Sequence, residues 1–138
     1  MCNWQDINPS YGEGRKIQLS AQVISNACNI IWEAAQKRQR IAYADLMNKL
    51  KQMGHRKINR ATVGHIVGEV STQVSQVTNP SIYPSAIVVR KDTNQPGKGF
   101  WGLDRGSNPP SAVPRNQQEQ MLQQYQNDVF NRPWNCNC

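Results

Sequence analysis

The chain has few of the residues on which most enzymes and membrane proteins depend. Its 138 residues include only two histidines and nine carboxylates. His55 and His65 have no suitably spaced acid or cysteine partner, and no HExxH, Walker or GxSxG pattern occurs. No apolar run approaches the ~20 residues of a membrane span, and the polar residues 1–6 do not resemble a secretory signal. We therefore expect a cytoplasmic, non-catalytic protein with no cofactor and no membrane contact.

The four cysteines do not have the spacing of a zinc site. Cys28 lies in a helical apolar pattern, which is typical of a small core residue. Cys2, Cys136 and Cys138 lie at the chain ends, and Cys136-Asn-Cys138 lacks a two-residue gap and a second pair. In a reducing compartment these three are predicted to be free thiols. A bridge from Cys2 to Cys136 or Cys138, or a metal clip between the termini, is the less favoured alternative.

Positive charge is concentrated in one stretch of the sequence. The net charge is +7, and residues 37–60 contain eight basic residues against Asp45 alone, which accounts for the whole excess. A local concentration of cations attracts polyanions and speeds their encounter with the protein. The alternative for any such stretch is a solvated helix face that only improves solubility.

Apolar spacing predicts helices over residues 20–38, 43–53, 60–76 and 117–130 within one domain. Ser20 and Asn59 are good N-caps, and Gly54 is a natural stop. The third helix has the most regular stripe, which consists of Val63, Ile66, Val67, Val70, Val74 and Val77. Gly64 and Gly68 lie one turn apart and indicate close approach by another helix. Residues 1–17 are predicted to form an irregular arm, and residues 104–116 a proline-rich surface linker before the last helix and a tail, 117–134, in which Trp134 folds back.

Residues 86–103 are predicted to form a β-hairpin. Residues 86–90 read as one strand, 92–98 as a turn containing Pro96-Gly97, and 99–103 as the return strand. Phe100 and Trp101 would then face opposite ways, one into the core and the other either packed under the last helix or exposed for base stacking. Helices followed by a basic hairpin predict an α+β fold, a mainly helical winged helix-turn-helix with extra N- and C-terminal helices, whose core spans residues 18–103.

In this fold the helix at 60–76 is the recognition helix, which enters a DNA groove with its N-terminal residues. The turn before it and the wing would contact phosphates. Glu69 also lies on the predicted outer face. The residues predicted to contact nucleic acid are Arg56, Lys57, Asn59, Arg60, Thr62, His65, Gln73, Arg90, Lys91 and Lys98.

Residues 41–102 carry short motifs in a recognisable order. These are Tyr43-Ala-Asp-Leu46, Arg60-Ala-Thr-Val-Gly64, Asn79-Pro80 and Pro84-Ser-Ala-Ile-Val-Val89. Together they resemble the winged-helix DNA-binding domain of the alkylguanine-DNA alkyltransferases and the alkyltransferase-like proteins. In that family a cysteine and a histidine stand where this chain has Ser85 and Ala86. A serine without an activating base does not accept an alkyl group, so the resemblance implies the fold and a DNA surface, and argues against alkyl transfer.

Three functions remain open from the sequence. The first is non-catalytic binding of nucleic acid, most simply duplex DNA, by a monomer or homodimer, with a nucleoid location. The second is a phage- or plasmid-like module that binds or inhibits a nucleic-acid-processing protein. The third is an enzyme that acts on nucleic acid, such as a nuclease, with His55 or His65 as its base.

Overall fold

A computed structural model describes residues 4–7, 10–11, 15–16 and 18–137. Its helices are α1 (Ala21–Gln36), α2 (Tyr43–Gln52), α3 (Arg60–Val77) and α4 (Gln118–Asn131). The described residues also form four two-residue strands: β1 (Ser10–Tyr11), β2 (Arg15–Lys16), β3 (Ile41–Ala42) and β4 (Val88–Val89). Short 3-10 helices lie at Pro84–Ile87, Lys98–Gly102, Pro110–Ala112 and Arg115–Gln117. β1 pairs antiparallel with β2, and β3 pairs parallel with β4. The molecule is thus α+β and mainly helical, as predicted, and none of the described helices is long and apolar enough to cross a membrane.

The helix ends follow from the capping residues that the sequence provides. The Ser20 side chain accepts a hydrogen bond from the Val23 amide at the start of α1, and Asn59 caps α3. Gly54 follows α2 with a φ of 103°, a conformation that costs glycine little. All four predicted helices are confirmed to within two residues at each end.

The core is built on α1 and α3. The inward side of α3 is fully buried at Val63, Ile66, Val70 and Val74, and packing compensates for the low helix propensity of β-branched residues. Val77 was predicted to continue this stripe but is 44% exposed, because the helix ends there and the stripe has turned toward solvent.

The predicted hairpin is wrong. β4 pairs with β3 from before α2, and residues 98–102 form a 3-10 helix in place of a return strand. Gly97, Gly99 and Gly102 weaken any strand in this segment. Phe100 and Trp101 do not diverge as in a strand; both rings contact Tyr125 of α4 edge-on, with centroids 5.6 and 6.5 Å away. Packing of the second aromatic under the last helix, one of the two predicted outcomes, is confirmed.

The C-terminal tail is fastened to the body. Cys28 forms a disulfide with Cys136, so the prediction of a free thiol at Cys136 is wrong, while burial of Cys28 is confirmed. Trp134 folds back as predicted, and its indole N–H donates to the Val129 carbonyl at 2.9 Å. The indoles of Trp4 and Trp32 donate to the carbonyls of Cys136 and Trp134, both at 2.9 Å.

Cys2 and Cys138 are not among the described residues, so the predictions for them are not tested. For β1 and β2 the structure describes the backbone only. A buried disulfide is typical of oxidising compartments. The cytoplasmic localisation therefore stays a prediction, and the disulfide gives it no support.

The proline-rich segment before α4 is packed more closely than a free linker. Two short 3-10 helices, Pro110–Ala112 and Arg115–Gln117, shape it. Gly106 has a φ of 101°, and a Cβ there would lie 2.5 Å from Ser81 Oγ. The Ser107 amide donates to Ser81 Oγ at 2.7 Å and holds this oxygen close to Gly106. A larger residue at position 106 would therefore collide with it.

Candidate nucleic-acid interface

The start of α3 is held by a reciprocal cap. The Asn59 side chain accepts from the Thr62 amide at 3.0 Å, and the Asn59 amide donates to Thr62 Oγ1 at 2.6 Å. This capping box satisfies two backbone donors that a helix otherwise leaves unpaired. Thr62 is completely buried, so its predicted role at the nucleic-acid surface is wrong. The Asn59 side-chain oxygen is occupied by the cap.

The turn between α2 and α3 presents cations to solvent. Ile58 is buried and anchors the turn, while Arg56 and Lys57 are exposed. His55 is half-buried, and its Nε2 lies 2.9 Å from Asn26 Nδ2 on α1. The histidine therefore fixes the turn against α1 rather than standing beside a nucleophile. This arrangement directs Arg56 and Lys57 outward from a rigid base.

The outward side of α3 has little side-chain bulk. Ala61, Gly64 and His65 are exposed and Gly68 is half-buried. Among the residues that the structure describes, a Cβ built on either glycine would meet nothing within 4 Å, so the predicted close approach of another helix is wrong. Glycine lets a partner approach the helix backbone closely. The pair of glycines therefore opens this side of α3 instead of packing it.

Gln73, another predicted contact, lies further along α3. Its Nε2 donates to Glu69 Oε1 at 3.1 Å. This bond joins two residues that the sequence placed separately on the outer face, and it holds both side chains along the helix.

The segment after β4 forms a closed loop beside α3. The Arg90 amide donates to the Gln95 carbonyl, and the Asn94 amide donates back to the Arg90 carbonyl. Arg90 pairs with Asp92 at 2.9 Å and Lys91 with Asp45 at 3.3 Å, both on the exposed surface. Such pairs contribute little to stability and are screened by salt. They moderate the positive charge of the loop without removing the cations from solvent.

Tyr43 joins this loop to the helix-turn-helix. Tyr43 is the first residue of α2, and its hydroxyl accepts a hydrogen bond from the Gly97 amide at 3.1 Å. Burial raises the pKa of the Tyr43 phenol, an effect that the Gly97 hydrogen bond and the charge of Arg90 oppose. Tyr43 therefore stays a neutral anchor that holds the loop against α2.

A cavity of about 1200 Å³ lies between α3 and the segment from Arg90 to Leu103. Its lining combines small and apolar residues with three cations and with the carboxylates Glu69 and Asp92. Four predicted site residues, Arg60, His65, Arg90 and Lys91, line it. The lining residues that sequence reasoning did not select include Tyr43, Ala61, Gly64, Gly68, Ser85 and Phe100.

The Ser85 hydroxyl is hydrogen-bonded to another serine. Ser85 is buried, and its Oγ accepts a hydrogen bond from Ser71 Oγ at 2.6 Å, while its amide donates to the same Ser71 oxygen at 2.8 Å. A hydroxyl is not a base that activates a serine. Within the part of the chain that the structure describes, no cluster of three metal-ligating side chains occurs.

The structure thus divides the predicted site residues. Arg56 and Lys57 lie on the turn, Arg60, His65, Arg90 and Lys91 surround the cavity, and Lys98 is exposed at the first residue of the 98–102 turn. The pair of glycines spaced four apart is the sequence signal that could have indicated the cavity. From the sequence, the same pair was predicted to pack against another helix.

No family model matches the chain, and no curated protein or solved structure is significantly similar to it. The interpretation of this face therefore depends on its own geometry and charge.

Proposed function

We propose that the protein binds duplex DNA without catalysis, through α2, the basic turn, α3 and the loop that follows β4. The single observation that carries the proposal is the combination on one helix of exposed cations at its start and an outward side built of small residues, Ala61, Gly64 and Gly68. Arg60 opens that side and Arg56 and Lys57 precede it. Cations fix a protein on the phosphates, and the absence of bulk at Gly64 and Gly68 lets the helix approach a groove.

The proposed winged helix-turn-helix differs from the usual form in its wing. The loop from Arg90 to Lys98 takes the place of the hairpin, and Tyr43 holds it beside α2. The resemblance to the DNA-binding domain of the alkyltransferase-like proteins supports the same assignment. The Ser85 hydroxyl accepts from a serine hydroxyl and not from a base, which supports binding without alkyl transfer.

Fluorescence anisotropy with a 20-base-pair duplex tests the proposal. With four to six phosphate contacts, the logarithm of affinity should fall with the logarithm of salt with a slope of roughly −4 to −5. Absence of binding at low salt, or a slope near zero, contradicts the proposal.

A matched pair of variants separates a specific surface from net charge alone. Arg56→Glu with Lys57→Glu should lower affinity by roughly tenfold to a hundredfold and reduce the steepness of the salt slope by about two. Arg105→Glu with Arg115→Glu makes the same charge change at exposed positions outside the cavity lining. Equal losses in both variants would show that only the total charge matters.

The alternative of a protein partner has its own outcome in a pull-down after nuclease treatment. If the function is DNA binding, nuclease should release whatever the protein captures. The alternative function, inhibition of a nucleic-acid-processing protein, would be supported by a protein partner that remains bound after nuclease treatment and competes with the duplex in the anisotropy assay.

A further inference from the structure

Helices α1 and α2 end in the same hydrogen-bonded motif but with different residues at its centre. After α2, the Gly54 amide donates to the Lys51 carbonyl at 3.0 Å and the His55 amide to the Leu50 carbonyl at 3.1 Å. After α1, the Arg38 amide donates to the Ala35 carbonyl at 3.0 Å and the Gln39 amide to the Ala34 carbonyl at 2.9 Å. Both pairs are the bonds of a Schellman motif, in which the central residue is left-handed and usually glycine.

Arg38 occupies a conformation that disfavours it. Its φ is 55°, against 103° for Gly54. A side chain on a left-handed residue is crowded by its own backbone, so arginine is less stable here than glycine would be. Arg38 is exposed and buries nothing in exchange. Its Nη2 donates to the neutral Asn131 side chain, which orients the guanidinium and leaves its charge uncompensated.

Lys37 and Arg40 flank this residue and are exposed as well. Within the described part of the chain, no carboxylate forms an ion pair with any of the three cations. Among the acids of the described residues, Glu33 lies one turn before Lys37, Asp128 lies one turn before Asn131, and Glu119 borders the same hollow as Arg40. Backbone strain retained at an exposed, unpaired cation points to a use for the side chain.

The surroundings of Arg40 supply the uncharged groups that accompany phosphate contacts. Arg40 borders a hollow of about 260 Å³, whose other walls are the tip of the loop after β4 and the outer side of α4. Asn94, Gln95 and Gln123 line it. Arginine together with amide side chains is the usual composition of a surface that holds phosphate oxygens.

The position of these cations relative to the helix-turn-helix follows from α1. Asn26 on the second turn of α1 contacts His55 in the basic turn, and Lys37 lies eleven residues further along the helix. At 1.5 Å per residue the separation is ~16 Å, which is the length of ~5 base pairs. The loop after β4 lies between the two sets, since Arg90 and Lys91 face the large cavity and Asn94 and Gln95 face the hollow.

We propose that Lys37, Arg38 and Arg40 form a second contact surface for the phosphate backbone of the duplex, beyond the one formed by the helix-turn-helix. This inference rests on the proposed function. Six of the eight basic residues in 37–60 therefore act as two separate contacts, Lys37, Arg38 and Arg40 in one and Arg56, Lys57 and Arg60 in the other. The bound duplex must be long enough to reach both.

Arg38→Gly is the most informative variant because it should change stability and DNA affinity in opposite directions. Relief of the left-handed conformation should raise Tm, while loss of the cation should weaken binding to a 30-base-pair duplex by roughly threefold to tenfold and reduce the salt slope by about one. Binding to a DNA hairpin with a stem of four base pairs, which is ~14 Å long and therefore too short to reach both surfaces, should not change. Arg115→Gly is the control, since it removes an exposed arginine elsewhere.

Lys37→Gln with Arg40→Gln repeats the test without a change in backbone strain. The expected result is again weaker binding of the long duplex alone. Unchanged affinity for the long duplex, or equal losses of affinity for both duplexes, would contradict the second contact surface. The proposed function would still hold in that case, provided that the wild-type protein binds DNA. Failure of the wild-type protein to bind either duplex would instead contradict the proposed function itself.

Discussion

The two sides of α3 differ in the size and the burial of their side chains. The inward side is filled by β-branched residues, and Ile66 and Val70 are fully buried. The outward side carries Ala61, Gly64 and Gly68, beside a cavity. Both β-branched residues and glycines lower helix propensity, so neither side favours the helix by itself. Burial on one side and the Asn59 cap keep α3 formed, so the helix does not need bulky side chains on its other side.

The largest expected effect comes from the inward side. Ile66→Ala should lower the free energy of unfolding by about 3 kcal/mol, since it removes buried methyl groups and leaves a void. Urea denaturation measures the loss. Affinity for duplex DNA, measured at low temperature where the variant is folded, should match that of the wild type. A large loss of affinity in the folded variant would contradict the separation of the two sides.

The outward side should respond in the opposite way. Gly64→Ala and Gly68→Ala should each stabilise the protein by up to about 1 kcal/mol, because alanine favours a helix and a Cβ meets no atom within 4 Å. Affinity should fall, since each methyl group narrows the approach to the helix backbone. Thermal unfolding and anisotropy on the same samples check both signs. Higher stability with unchanged affinity would remove this side from the interface.

Asn59 caps the start of α3, and its substitutions should change stability by no more than those of the glycines. Asn59→Ala should cost about 1 kcal/mol of stability through loss of the cap. Asn59→Asp keeps the cap and places a negative charge at the positive end of the helix dipole, so stability should be unchanged or slightly higher. Affinity should nevertheless fall in Asn59→Asp through repulsion of phosphate. Equal losses of affinity in Asn59→Ala and Asn59→Asp would contradict the prediction that the added negative charge repels phosphate.

Local signals allowed part of this structure to be predicted. Caps at Ser20 and Asn59 and the stop at Gly54 located three helix ends, because capping depends on neighbours in sequence. The stripe on α3 predicted its buried side for the same reason. The concentration of cations placed Arg56, Lys57 and Arg60 on the surface.

The errors have a common cause in contacts between distant residues. Val88 and Val89 have strand propensity, but their partners are Ile41 and Ala42, which precede α2 and give no sign of the pairing. The disulfide joins residues 108 positions apart, so its pairing requires the tail to fold back over α1. The spacing of Gly64 and Gly68 is equally compatible with a packed helix and an open one, and only the surrounding fold distinguishes them.

The disulfide has a consequence for the covalent integrity of the proposed interface. Every residue of the basic turn, α3 and the loop after β4 lies between Cys28 and Cys136. A protease that cuts one peptide bond in the exposed loop at residues 91–95 therefore produces two polypeptides that remain one molecule. The nicked protein runs as a single species on a non-reducing gel and separates only after the bond is reduced.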